Sequence, residues 1–189
     1  MNPTVTYPDF VDNETFFAMD DSHTGLELAL RLSENLKKIH YLTIASYQNF
    51  DELILKYLNT GIEIFNMKIG IVSKIKDDRY LICNAMTPDG SLKKGDIFPL
   101  EGTYCWEVCI SGEILGFPHV GIMDEMKDHP VYQNMKLESY LSAPIYLNDA
   151  LYGTLNFTST EPREFGFSEH EKDLIGLMAN SIGSFLALR

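Results

Sequence analysis

No basic run occurs anywhere in this 189-residue sequence, where 15 Lys and Arg stand against 27 Asp and Glu for a net charge of −12. A phosphate backbone is bound through a basic footprint, so nucleic acid is not expected as a partner. An anionic membrane surface is disfavoured for the same reason. No apolar stretch approaches the roughly 18–20 residues that cross a bilayer. Residues 1–21 also lack the basic and apolar segments of a secretion signal. Cysteine is scarce: Cys83, Cys105 and Cys109 make an odd count, and only the last two are close in sequence. Free thiols in a reducing cytoplasm are the expectation. There is no low-complexity tract and no internal repeat, which excludes solenoids and arrays.

What is present suits one core. With 45% hydrophobic and 22% charged residues, residues 22–189 read as a single domain. Residues 1–21 carry Asp9, Asp12, Glu14, Asp20 and Asp21 but no Lys or Arg, with Pro3 and Pro8 among them. They read as an acidic, extended arm, with Phe16, Phe17 and Met19 available for docking. Thr24 and Glu27 resemble a capping box, and Leu26, Ala29, Leu30, Leu36 and Ile39 give helical spacing over 25–40. Asn49 and Glu52 open a second helix, whose last turns Asn59-Thr60-Gly61 should weaken.

Short apolar runs, Met67–Ile75 and Tyr80–Met86, then flank the turn Lys76-Asp77-Asp78-Arg79 and predict a hairpin. Asp96–Leu100 and Ile114–Phe117 are further strands. Between them Thr103 is positioned to cap a short helix that Gly112 stops. Residues 118–137 follow no single period and read as two short helical pieces in a long connection, a kind that is often functional. Ser168 and Glu171 form a capping box before the closing helix, with its wide stripe of Leu174, Ile175, Leu177, Met178, Ile182, Phe185 and Leu186.

The segment ESYLSAPIYLNDALYGTLNFTS, residues 138–159, is the centre of the pattern. It predicts two strands around Asn148-Asp149-Ala150. With three residues in the loop, Leu147 falls opposite Leu151 and Ala143 opposite Leu155. One face then reads Leu141, Ala143, Ile145, Leu147, Leu151, Gly153, Leu155 and Phe157. The other reads Tyr140, Ser142, Pro144, Tyr146, Tyr152, Thr154 and Asn156. The first face needs helices to cover it. The second resembles a pocket wall, apolar with a few convergent polar groups. The alternative is a face that simply packs the connection, its polar atoms satisfied by loop backbone.

This order, with PHVGIMDEMKDHPVYQNMKLESYLSAPIYLNDALYGTLNF at residues 118–157 and Phe167-Ser168-Glu169-His170-Glu171 after it, resembles a GAF domain over residues 45–187. The resemblance implies an α+β fold. An antiparallel sheet of about six strands would carry the terminal helices on one face, with short helices and the connection on the other. It also implies a role like that of bacterial sensory input modules ahead of histidine kinases, as in two-component systems, or diguanylate cyclases. These modules hold a small molecule or chromophore and often pair as homodimers through their terminal helices. No such output domain is expected within these 189 residues. The chain is expected to be either a stand-alone protein or a module that regulates a kinase or cyclase partner.

Site candidates follow from both readings. Tyr140, Ser142, Thr154 and Asn156 form the polar wall, and Trp106, Phe117 and Tyr132 (with Met135) a roof. His119 and His129 are placed to bond a ligand carboxylate or phosphate, more strongly when protonated. A metal site at His119, Asp124, Asp128 and His129 lacks a recognised ligand spacing. Bilin-carrying relatives attach the chromophore through a cysteine where this chain has Met126-Lys127-Asp128-His129-Pro130. Covalent attachment there is not expected, and no cofactor is assigned. Relatives that reduce free methionine sulfoxide need a nucleophilic thiol before the Pro144 strand. Val131-Tyr132-Gln133-Asn134 has none, and Cys105 stands alone. No catalytic residue is expected. If the polar face lines a pocket, Thr154→Val and Asn156→Leu should spare the fold.

Overall fold

Two aspartates make the first reversal of the chain. Asp77 and Asp78 both adopt positive φ, at 50° and 56°. A two-residue hairpin turn that matches strand twist requires this, and short polar side chains tolerate it. They join β1 (Ile69–Lys76) to β2 (Arg79–Met86) in a computed structural model that describes residues 25–188. The acidic arm and the expected Thr24 cap lie outside the described residues.

The same turn recurs at the centre of the sheet. Asn148 and Asp149, at φ 50° and 61°, join β5 (Ser139–Leu147) to β6 (Ala150–Ser159). The loop therefore has two residues rather than the expected three, and Leu147 pairs with Ala150, not Leu151. Ala143 nonetheless sits opposite Leu155, as the polarity pattern requires. A bulge between Ile145 and Tyr146 makes Tyr152 the extra residue and restores the register. Tyr152 consequently packs with the helix-side core rather than the polar face. β1 and β2 carry a matching irregularity after Val72 that makes Cys83 the extra residue. The two bulged side chains meet, with Cys83 Sγ 3.7 Å from the Tyr152 hydroxyl.

The sheet has six strands in the order β3-β2-β1-β6-β5-β4, where β3 is Ile97–Pro99 and β4 is Leu115–Phe117. Every neighbouring pair is antiparallel. This is the α+β architecture expected from the chain order. Helices α1 (Gly25–Ile44), α2 (Phe50–Phe65) and α5 (Glu169–Ala187) cover one face. The Asn49 side chain caps α2 by accepting from Glu52 N at 2.9 Å. Ser168 and Glu171 cap α5 reciprocally. Ile54 and Leu58 of α2 and Ile175, Met178 and Ile182 of α5 pack on Leu141, Ala143, Leu155 and Phe157. Each fully buried Leu, Ile or Phe stabilises by roughly 1.5–3 kcal/mol against exposure.

Asn59-Thr60-Gly61 does not end α2, which continues to Phe65. Gly61 is where the Phe157 ring seats: a Cβ there would lie 2.0 Å from the ring. Burial of Phe157 outweighs the roughly 1 kcal/mol helix cost of glycine. In α1 only Ile39 and Leu42 are buried, whereas Leu26 and Leu30 are 69% and 55% exposed. The apolar stripe read from the sequence thus reaches the core only near its C-terminal end. Among the described residues no helix is long and apolar enough to cross a membrane.

Shorter elements cover the other face. They are a 3-10 turn at Leu100–Gly102, α3 (Cys105–Ser111), a second 3-10 turn at Val120–Ile122 and α4 (Pro130–Met135). The two helical pieces expected in the long connection are therefore present. Thr103 does not cap α3. Its hydroxyl donates to the Leu100 carbonyl at 2.7 Å and closes the preceding turn, while Gly112 at φ 70° stops the helix. The N-cap of α4 is His129, whose Nδ1 accepts from Val131 N at 3.2 Å.

Gly153 marks the closest backbone approach, since a Cβ there would lie 1.9 Å from the Ser73 carbonyl oxygen. Gly153→Ala is expected to cost about 1–3 kcal/mol or more, as overpacking does. Urea unfolding followed by circular dichroism checks this: the midpoint should fall clearly below that of the parent chain.

Candidate functional site

Between the sheet and its short elements lies a cavity of about 310 Å³. Its floor is Ile71, Tyr80, Ile82, Tyr140 and Asn156, from four neighbouring strands. Strand alternation puts Tyr80 with Ile82 on one face of β2, and Asn156 with Thr158 on one face of β6. Phe98 and Pro99 at the end of β3, Tyr104 before α3, and Val131 and Met135 of α4 close the sides.

Cys105, the first residue of α3, is buried at the cavity's edge and holds the helix on the sheet. Its sulfur accepts from the Tyr140 hydroxyl at 3.1 Å, the Thr154 hydroxyl at 3.3 Å and Asn156 Nδ2 at 3.5 Å. Asn156 Nδ2 also donates to the Tyr80 hydroxyl at 2.9 Å. The Thr154 and Ser73 hydroxyls lie 2.9 Å apart, and Ser73 Oγ accepts from Thr154 N at 3.2 Å. Burial raises the pKa of Cys105, Tyr80 and Tyr140, so these groups stay protonated and neutral.

An aromatic group supports the floor. The Phe117 ring stacks on Tyr140 at 5.6 Å and 20°, and Tyr104 meets both edge-on at 6.0 Å and 5.3 Å. Such pairs add about 0.5–1.5 kcal/mol beyond their area. The Tyr104 hydroxyl donates to the Leu137 carbonyl at 3.1 Å, tying α3 to the end of the connection.

Glu138, just before β5, organises the connection. Its carboxylate accepts from Gly121 N at 2.9 Å and the Tyr132 hydroxyl at 2.8 Å, and lies 3.7 Å from His119 Nε2. His119, Asp124, Asp128 and His129 do not converge. Asp124 pairs with Lys127, and His129 caps α4 with its ring 4.9 Å from Tyr104. Among the described residues no group of three His, Cys, Asp or Glu side chains is placed to hold a metal ion.

A family model described as GAF domain matches residues 49–186. The chain belongs to the GAF domain family. No curated protein sequence matches it. Its fold is similar to the GAF domain of a phosphoenolpyruvate-protein phosphotransferase from Acinetobacter, at TM-score 0.65 and 14% identity over 88% of this chain and 95% of that one. It is also similar to a free methionine-R-sulfoxide reductase from Neisseria meningitidis in complex with its substrate, at TM-score 0.66 and 14% identity, covering 88% and 93%. The photosensory core module of a Stigmatella aurantiaca phytochrome matches at TM-score 0.69 and 11% identity, covering 89% of this chain and 38% of that one.

Of the residues read as a ligand wall, this GAF domain places Tyr140 and Asn156 on the cavity. Thr154 and Ser142 are fully buried off it: Thr154 bonds Ser73 and Cys105, and Ser142 Oγ donates to the Leu155 carbonyl at 3.2 Å. Phe117 lies behind the floor. Trp106 packs at the margin of the same core, and Tyr132, His119 and His129 structure the connection rather than line the cavity. Reading from the sequence missed Tyr80, Ile82, Ile71, Phe98 and Glu138. The Tyr80–Ile82 alternation was a usable signal; the bulge at Cys83 interrupts it.

Two outcomes follow. Thr154→Val, expected from the sequence to spare the fold, should instead destabilise by about 1–3 kcal/mol, because the Ser73 hydroxyl and Cys105 lose a buried partner. Urea midpoints decide this. Burial also lowers the His129 pKa from 6.5. Below 6.5 the unfolded chain therefore takes up a proton that the folded chain refuses, and stability falls on acidification toward the depressed folded value. His129→Gln should flatten that part of the stability–pH curve.

Proposed function

We propose that this GAF domain is a small-molecule-sensing regulatory module rather than an enzyme. The cavity between the sheet and the segments around α3 and α4 carries this reading. It is half-open, mostly apolar and provided with a few polar groups, as binding sites are. Occupancy would bias the packing of α4 and the connection, and through the sheet that of α1 and α5. A ligand shifts such an equilibrium only by its differential affinity for the two arrangements. In bacterial signal transduction the output would be a kinase or cyclase domain or partner, in the cytoplasm.

Exposed apolar side chains on the terminal helices support a homodimer. Leu30 is 55% exposed on α1 and Leu177 48% on α5. Exposed apolar side chains on terminal helices suit a symmetric association surface. A ligand-free dimerisation module is the second reading, favoured by the degree to which Cys105 and its partners fill the polar face. Turnover like that of a methionine-sulfoxide reductase is disfavoured, because the Cys105 thiol is buried and its pKa raised by burial, whereas the nucleophile is the thiolate.

Native mass spectrometry of the purified chain is expected to report a dimer with a non-covalent adduct that denaturation releases. A bare chain, together with no thermal shift from any compound in a metabolite library, would favour the dimerisation module. Leu30→Glu combined with Leu177→Glu should give a folded monomer by sedimentation. Sustained reduction of free methionine sulfoxide that Cys105→Ser abolishes would overturn the non-enzymatic reading.

A further inference from the structure

The described lining of the cavity contains no Lys, Arg, Asp, Glu or His. We infer that the cavity takes an uncharged, largely apolar molecule of on the order of ten non-hydrogen atoms, held by one or two neutral hydrogen bonds. This inference rests on the sensing reading and narrows it to a ligand class.

Size sets the first limit. About 310 Å³ is at the small end of the range for ligand pockets, roughly 300–1,000 Å³. At roughly 30 Å³ for each water-sized group it holds about ten. Charge sets the second. A buried ion needs a counter-charge or several hydrogen bonds, and without them the desolvation penalty stands unpaid. The titratable groups of the lining cannot supply one, since burial raises the pKa of Tyr80, Tyr104, Tyr140 and Cys105 and keeps each neutral.

The groups just outside act in the same direction. His129, against the Tyr104 ring, has its pKa lowered by burial. Glu138 and Glu107 present negative charge to Tyr104 and His129. An incoming carboxylate or phosphate would find no cation among the described lining residues. The polar groups available for orientation are neutral: the Asn156 and Asn134 amides and the Thr103 and Thr158 hydroxyls. These suit an amide, alcohol or phenol function on an apolar frame. Tyr80, Tyr104 and Tyr140 line the cavity with aromatic rings, so a cation is the charged alternative.

Shape-matched probes separate these cases. Benzamide, benzoate and benzylammonium share one ring and differ in charge; the naphthalene-2-carboxamide, 2-naphthoate and 2-naphthylmethylammonium series extends the frame. Binding is read by calorimetry and thermal shift on the full chain and on Val131→Trp, which adds bulk to the cavity from α4 and changes no sheet residue. Met135→Trp substitutes if that variant does not fold. The expected result is binding of the amides at least tenfold tighter than either ion, lost in the tryptophan variant. A carboxylate or ammonium bound as tightly as its amide, and lost in the tryptophan variant, would overturn the ligand class while leaving the sensing reading intact. No binding by any probe, with the tryptophan variant as stable as the parent, would sink both.

Discussion

The hydrogen bonds that converge on Cys105 hold the two halves of the structure together. Tyr140 of β5 and Thr154 and Asn156 of β6 all donate to one sulfur at the start of α3. Sulfur is a weak acceptor, but without it the Tyr140 hydroxyl would be a buried donor left unmet, at about 1–3 kcal/mol, while Thr154 and Asn156 would keep only Ser73 and Tyr80. The bonds fix where α3 begins. That placement sets Tyr104 over Tyr140, ties it to the Leu137 carbonyl, and so positions the end of the connection. The cavity is the space left beside this attachment.

The opposite face depends on a different kind of constraint. There the sheet meets α2 and α5 through apolar contact alone, with Gly61 giving way to the Phe157 ring and Gly183 of α5 to the Tyr146 carbonyl oxygen. A side chain at either position would push a helix off the strands. β6 is the element common to both halves: Leu155 and Phe157 point to the helices while Thr154 and Asn156 point to α3. The cavity side and the helix side of the sheet are therefore joined through a single strand.

Much of this was legible in the sequence because it is local. The Ser168–Glu171 box, the Asn49 cap, the Asp77-Asp78 and Asn148-Asp149 reversals and the two-faced β5–β6 ribbon are set by neighbours a few residues apart. What was not legible depends on residues far apart in the chain. Nothing near Tyr152 or Cys83 signals a bulge, and the two bulges are adjacent only after β1 meets β6. The polar wall was separated from the apolar face except at Tyr152, yet Tyr140, Ser142, Thr154 and Asn156 were all assigned to ligand and only Tyr140 and Asn156 line the cavity. Thr154 and Ser142 look identical in sequence to Asn156, and only the position of Cys105, some fifty residues upstream, decides which of them face open space. Glu138 escaped notice because a lone acid before an apolar strand ordinarily faces solvent.

Methyl-labelled isoleucines report on both halves at once. Ile69, Ile71 and Ile82 border the cavity, while Ile54, Ile175 and Ile182 lie in the helix-side core. Titration of the labelled chain with a neutral aromatic amide, followed by methyl NMR, is predicted to shift Ile71 and Ile82 first and most. Largest shifts at Ile54, Ile175 and Ile182, with the cavity methyls unmoved, would contradict the placement of the ligand site.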